Sequence, residues 1–295
     1  MKNQKRTGHL TILTLFFALL LSIELLSAQG TPSHFKFVFA TDLHLRQKPS
    51  DASFEALQLV TDLAKANGAA FILSGGDQVD VDGMKPEQLE EAKSLYNRYK
   101  EQTQKSGLPW YYTIGNHDRF WDGTSSNVNG EVLFNTYLSP SYYTFDHEGW
   151  KFIVLNSVET VDKNYALSHT QLEWLKELLA KTPLDQPIIV STHVPFLSVY
   201  YPVLEGRYTA TDTFANQKVV FDLFSKHQLK LVLQGHNHLY EEIHVKGVPF
   251  ITAGAVSASW WGGAFHGTEE GFLEVTIEDQ ALSWSYIDYG WEVKK

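Results

Sequence analysis

The turn Ile114-Gly115-Asn116-His117-Asp118 combines three kinds of chemistry in adjacent residues. Asn116 offers a neutral carbonyl oxygen, a donor suited to a hard or borderline cation. His117 can give or take a proton near neutral pH, and Asp118 is placed to hold that imidazole in one tautomer. Four further pieces carry similar groups: Asp42-Leu43-His44, Gly76-Asp77, His193, and Gly235-His236-Asn237-His238. In extended backbone, residues two apart point to the same side. Asp42 and His44 can then ligate one metal together, and His236 and His238 can likewise face one side together. Each piece alone also reads as an ordinary polar turn, because Gly, Asn and Asp dominate turns. The significance lies in the set.

These residues need elements that bring them to one place. His34–Ala40 is predicted to be a buried strand delivering Asp42 and His44, and 69–73 a second strand delivering Gly76-Asp77 and, close behind, Asp80. Between them, Phe54, Leu57, Val60, Leu63 and Ala64 recur at helical spacing, and Gly68 stops the helix. Strand, helix, strand implies parallel pairing through a crossover helix. Sites in such sheets form beyond the carboxyl ends of the strands. Pro86–Lys105 reads as a solvated helix, acidic early and basic late. Strand 109–114 leads into Asn116 and His117, and 119–131 reads as loop. Strands 142–146 and 150–156 form a hairpin at Glu148-Gly149. Helix 168–180 starts on a Ser168 cap. Strand 187–192 ends at His193, and an aromatic loop follows. Helix 212–227 and strand 229–233 lead to Gly235-His236-Asn237-His238, and four short strands, mostly antiparallel, finish the chain. No internal repeat or linker divides the sequence after residue 28. The expected fold class is therefore α/β: two packed mixed β-sheets flanked by helices, in one domain over residues 29–295.

Composition narrows the function. The net charge is −10, and an acidic surface repels nucleic-acid backbones, so no dedicated nucleic-acid binding is expected. With no cysteine, thiolate metal sites, cysteine nucleophiles and disulfides are excluded. Any metal site is built from His, Asp, Glu and Asn. Residues 1–28 read as an export signal: Lys2, Lys5 and Arg6, a run of apolar residues from Leu10 to Ile23, then Ser27-Ala28. The alternative is an uncleaved anchor, but the apolar run falls short of the ~20 residues that span a bilayer. The expectation is an exported chain, periplasmic or secreted, with no stable membrane insertion after cleavage.

In order, the set Asp42-x-His44, Gly76-Asp77, Gly115-Asn116-His117-Asp118, His193 and Gly235-His236-x-His238 resembles the calcineurin-like metallophosphoesterases. The resemblance implies a four-layer αββα fold and two divalent metal ions, Mn, Fe or Zn. By this resemblance Asp42, His44 and His238 hold one metal, and Asn116, His193 and His236 the other. Asp77 bridges both through its two oxygens. A hydroxide shared by two such metals attacks phosphorus. His117, oriented by Asp118, protonates the leaving alkoxide. Asp80 either supports a ligand histidine or its loop, or is a surface turn residue; the purple acid phosphatase branch has tyrosine there. The chain looks most like the compact bacterial phosphodiesterases, acting on a small phosphate ester. The alternatives are a phosphomonoesterase or nucleotidase, or a non-catalytic scaffold of the same fold. Trp260, Trp261 and His266, in a glycine-rich loop, form one candidate wall of the substrate cleft. Tyr200, Tyr201, Arg207 and Trp121 form the others. The competing reading is that these aromatics close sheet edges.

Overall fold

The computed structural model describes residues 33–46, 52–208 and 212–293. The proposed leader, 1–28, lies outside them. Thirteen strands are present among the described residues: β1 His34–Ala40, β2 Ala69–Ser74, β3 Trp110–Tyr112, β4 Tyr143–His147, β5 Trp150–Val154, β6 Thr160–Val161, β7 Asn164–Tyr165, β8 Pro187–Ser191, β9 Gln228–Gln234, β10 Glu241–Val245, β11 Val248–Thr252, β12 Gly271–Glu278 and β13 Ala281–Asp288. One sheet has the order β13-β12-β1-β2-β3, the other β10-β11-β9-β8-β5-β4. In the first, β1, β2 and β3 are parallel; in the second, β5, β8, β9 and β11 are. Antiparallel strands flank both groups.

The period of two along β1 explains the layering. Phe35, Phe37 and Phe39 face the second sheet, where they meet Phe152, Ile189 and Leu231 in one buried cluster. Phe37 stacks on Phe71 at 5.0 Å and meets Phe152 edge-on at 5.4 Å across the two sheets. Val38 and Ala40 point the other way, into a cluster shared with Leu57, Val60 and Ala64 of helix Ala52–Ala66 and Tyr96 and Tyr99 of helix Leu89–Lys105. The second sheet is covered in the same manner by helix His169–Lys181, through Leu175 and Leu179, and by helix Gln217–Leu223, through Val220. The result is the four-layer αββα arrangement. Ser168 caps its helix, accepting a hydrogen bond from the Gln171 backbone N–H.

Three local features depart from the sequence reading. The helix expected over 212–227 is shorter because the N–H groups of Phe214 and Ala215 donate to the carbonyls of Pro195 and Tyr165. Phe214 is thereby held in the core, against Phe196. The hairpin β6–β7 turns through Asp162 and Lys163, both at positive φ (49° and 68°). Such turns are usually marked by Asn-Gly or Asp-Gly, and this one is not. Short helices Val132–Tyr137 and Tyr200–Leu204 follow the expected loop and interrupt the aromatic one. Among the described residues, no helix is long and apolar enough to cross a membrane.

Candidate metal centre

The carboxyl ends of β1, β2, β3, β8 and β9 meet at one edge of the two sheets, and all five sequence pieces stand there. The approach is closer than side chains on the turns would permit. A Cβ on Gly115 would lie 2.1 Å from Asp77 Oδ1, and one on Gly76, at φ 108°, 2.2 Å from His193 Nδ1. Asp42, His44, Asp77, His236 and His238 all have φ between 50° and 73°, a region non-glycine residues rarely occupy. The extended geometry expected for Asp42-x-His44 and His236-x-His238 is therefore corrected. Left-handed turns aim these side chains, and such strain persists where the surroundings enforce it.

Among the described residues the side chains form three groups that could hold a cation: Asp42, His44 and His238; Asp77, His193 and His236; and a third, His44, Asp80 and His117, that shares His44 with the first. His44 Nδ1 donates to Asp80 (2.6 Å), His193 Nδ1 to the Gly75 carbonyl (2.9 Å) and His238 Nδ1 to the Ala258 carbonyl (2.5 Å). These partners only accept, so each fixes its proton on Nδ1 and presents the Nε2 lone pair to the centre. His44 Nε2 and His238 Nε2 then face each other at 2.9 Å, with Asp42 Oδ1 3.4 Å from the latter. Asn116 Oδ1 and Asp77 Oδ2 each lie 3.2 Å from His193 Nε2. Lone pairs converging on lone pairs repel unless positive charge sits between them. The donor set, imidazole nitrogen with carboxylate and amide oxygen, fits divalent cations of borderline hardness.

Asp77 was expected to bridge through both oxygens. Instead Oδ1 accepts the His117 backbone N–H (2.8 Å). Oδ2 alone faces the first two groups, 3.8 Å from His44 and 3.2 Å from His193. The electrostatics follow from burial and proximity. Burial opposes the ionisation of Asp42 and Asp77. For Asp42, His238 and His193 outweigh it; for Asp77, His193, His117 and His44 do. Both carboxyls are held well below the usual range. Burial likewise opposes charge on His193, yet Asp77 and Asp42 raise its pKa to about 9. The carboxylates draw positive charge, a proton or a metal, to that nitrogen.

Asp80 braces His44, a candidate ligand, since it accepts from His44 Nδ1 and also from Arg46 Nε (2.7 Å). Asp118 does not orient His117, and that expectation is corrected. It is buried and accepts from the backbone N–H groups of Asp77, Gln78, Val79 and Gly115. The carboxylate on His117 is Asp82, 2.8 Å from Nδ1. His117 Nε2 points inward, 4.0 Å from Asp77 Oδ2. Asp82 went unread, though its place in Asp80-Val81-Asp82 repeats the spacing of two seen at the ligands.

Trp260 borders the centre, half-exposed at 41%, with its ring 4.3 Å from that of His238 and 5.8 Å from that of His44. The run continues through Phe265 and His266 to Tyr200. Trp261 turns away, packing on Trp291 at 5.3 Å while its Nε1 donates to the His44 carbonyl. Arg207 donates to Glu205 and lies over Tyr201, at the outer end of the run.

Known proteins resemble this chain in sequence or fold. A 3′,5′-cyclic-nucleotide phosphodiesterase of Nostoc sp. is 29% identical over 169 residues, covering 57% of this chain and 55% of that protein. Tartrate-resistant acid phosphatase type 5 of Sus scrofa is 24% identical over 216 residues, covering 65% and 59%. This chain thus matches little more than half the length of these curated relatives. A solved dimetal phosphatase of Danio rerio matches with a TM-score of 0.56 at 14% identity, over 87% of this chain and 99% of that one. The likeness is one of fold. The family profile described as calcineurin-like phosphoesterase matches residues 35–240. The chain belongs to that family, the calcineurin-like phosphoesterases.

Proposed function

We propose that this protein hydrolyses small phosphate esters at a binuclear metal centre, with diesters preferred. One observation carries the reading: His44 of one group and His193 of the other, each locked with Nε2 facing the centre, converge on a single carboxylate oxygen, Asp77 Oδ2, beside an inward-pointing His117. Asp42, His44 and His238 would hold one cation and Asn116, His193 and His236 the other, with Asp77 between. Bound there, divalent cations (Mn, Fe or Zn) supply Lewis acidity, neutralising phosphoryl charge and making water acidic enough to attack near neutral pH.

The protein's own residues do the rest. Asp80 and the Ala258 and Gly75 carbonyls keep three imidazoles in the ligating tautomer. His117, with Nδ1 tied to Asp82, presents Nε2 to the leaving oxygen and protonates it. Asp82 stabilises the imidazolium. Asp118 ties the Asp77 loop to the His117 turn. Trp260 offers a ring face to the ester group, extended by His266 and Tyr200. Trp261 backs the His44 loop, and Arg207 lies at the rim. The preference for diesters is supported by the likeness to the Nostoc phosphodiesterase and by Asp80 in place of the tyrosine of purple acid phosphatases. The likeness to an acid phosphatase favours the alternative, a phosphomonoesterase. Export through residues 1–28 would put this activity outside the cytoplasm, and a mature amino terminus at Gln29 is the expected result of sequencing the native protein. A terminus within the leader would contradict it.

The test compares hydrolysis of bis(nitrophenyl) phosphate and nitrophenyl phosphate by manganese-loaded protein, with Asp77→Ala as control. Diester turnover well above monoester turnover is expected. The reverse order would establish the monoesterase. No turnover of either above the control, in metal-loaded protein, would refute catalysis and leave a scaffold.

A further inference from the structure

Arg119 is 7% exposed, in a chain that has 34 carboxylate residues and a net charge of −10. None of those carboxylates among the described residues forms an ion pair with it. Its Nη1 donates to the Val158 carbonyl at 2.7 Å, while Nε is buried without any acceptor. The guanidinium lies 4.8 Å from the Trp121 ring centroid and 5.6 Å from that of Tyr165, whose hydroxyl oxygen also accepts a hydrogen bond from it. Burying a cation without a directly paired carboxylate is costly, and here only the more distant charges of Glu131, Asp77 and Asp82 support it. An acidic chain leaving one arginine in this state is not short of partners.

Its location suggests what completes it. Tyr165, on β7, stands edge-on to His236, with ring centroids 6.2 Å apart at 89°. Arg119 follows directly on Asn116-His117-Asp118. Both Arg119 and Tyr165 lie within the fields of Asp77 and Asp82. The pair therefore borders the His236 side of the centre, opposite the wall formed by Trp260 beside His238 and His44. An anion reaching the centre would meet the field of a cation fixed in place and a phenol hydroxyl polarised by it.

We infer that Arg119 and Tyr165 form a receptor for a non-ester oxygen of the phosphoryl group, Arg119 by its charge and Tyr165, whose oxygen accepts from Arg119, by donating its hydroxyl proton. The inference rests on the phosphoesterase reading. It adds a specificity consequence. A fixed cation favours the more charged phosphoryl group, so it strengthens binding of monoesters and of product phosphate relative to diesters. Arg119 would thus limit how strongly diesters are preferred.

The test is calorimetric titration of manganese-loaded protein with inorganic phosphate, for the wild type, Arg119→Met, Arg119→Lys and Tyr165→Phe. Methionine keeps much of the length that packs on Trp121 and Tyr165 but removes the charge. Charge-assisted hydrogen bonds imply a loss of phosphate affinity of roughly 10- to 100-fold in Arg119→Met, largely restored in Arg119→Lys. For Tyr165→Phe the loss is roughly 3- to 10-fold, with metal content and Tm unchanged. The ratio of diester to monoester kcat/KM should rise in Arg119→Met. Phosphate affinity within twofold of wild type in the folded variants would overturn the inference and make Arg119 a structural plug. If Arg119→Met does not fold, Tyr165→Phe decides alone. Phosphate binding that needs both residues, in a protein that hydrolyses no ester, would sink the enzymatic reading while leaving this receptor standing. No phosphate binding by the loaded wild type would overturn the receptor.

Discussion

Replacing Asp82 by asparagine isolates the proton chemistry of His117 from the architecture around it. Asp82 Oδ1 lies 2.8 Å from His117 Nδ1, and the two side chains are 35% and 31% exposed. At that separation Coulomb's law gives about 1.5 kcal/mol in the permittivity of water and about 3 kcal/mol at half that value. Partial exposure places the pair in this range, equivalent to roughly one to two pKa units. Burial alone would lower the His117 pKa. The hydrogen bond to Asp82 and the charges of Asp77, Asp82 and Asp80 raise it, to about 10. Bound cations would offset the Asp77 contribution, leaving Asp82, which already supplies the hydrogen bond, as the main support. A general acid works while protonated, so activity falls as pH rises through the His117 pKa. Asparagine keeps the shape of the partner but not its charge. The alkaline limb of kcat should move to lower pH by about one to two units for an alkyl ester, whose leaving group needs the proton. Nitrophenolate departs without protonation, so for a nitrophenyl ester the limb should barely move. An unmoved limb for the alkyl ester, or equal shifts for both, would refute the assignment of His117 and Asp82.

Asp118→Ala leaves four buried backbone N–H groups without their acceptor. At about 1–3 kcal/mol for each unsatisfied donor, less what relaxation recovers, urea denaturation should reveal a loss of roughly 3–6 kcal/mol. A loss below about 1 kcal/mol would contradict this structural role. Gly115→Ala puts a methyl group 2.1 Å from Asp77 Oδ1. Elemental analysis of the folded variant should find less bound metal than in wild type, and full occupancy would count against Asp77 as the shared ligand. Trp260→Ala removes a ring face beside His238. KM for nitrophenyl diesters should rise about tenfold, in line with the worth of stacking contacts, with kcat little changed. An unchanged KM would remove Trp260 from the substrate wall.

The layered fold was legible because its signals are periodic. The alternation in β1 and the helical spacing of Leu57, Val60 and Ala64 each specify which face is buried. The ligand set was legible because its members end strands in a parallel sheet, where chain order dictates convergence. What escaped depends on contacts that neighbouring sequence does not encode. Asp118 sits next to His117 in the chain, yet its carboxylate turns inward to four backbone donors. Asp82, 35 residues from His117, takes the place assigned to it. The left-handed backbone at Asp42, His44, Asp77, His236 and His238 breaks ordinary residue preference, and such a departure at a site is visible only in three dimensions. Tyr165 was hidden for a third reason: its hairpin turns on Asp162 and Lys163, which carry no turn signature.

The most direct test of a shared binuclear centre is to titrate metal-free protein with Mn²⁺ while following both bound metal and bis(nitrophenyl) phosphate hydrolysis. Activity should climb to its plateau at two equivalents per chain, and Asp77→Ala should neither bind the second equivalent tightly nor become active. A plateau at one equivalent, or activity that survives complete metal removal, would contradict the assignment of Asp77 as the carboxylate joining two metals.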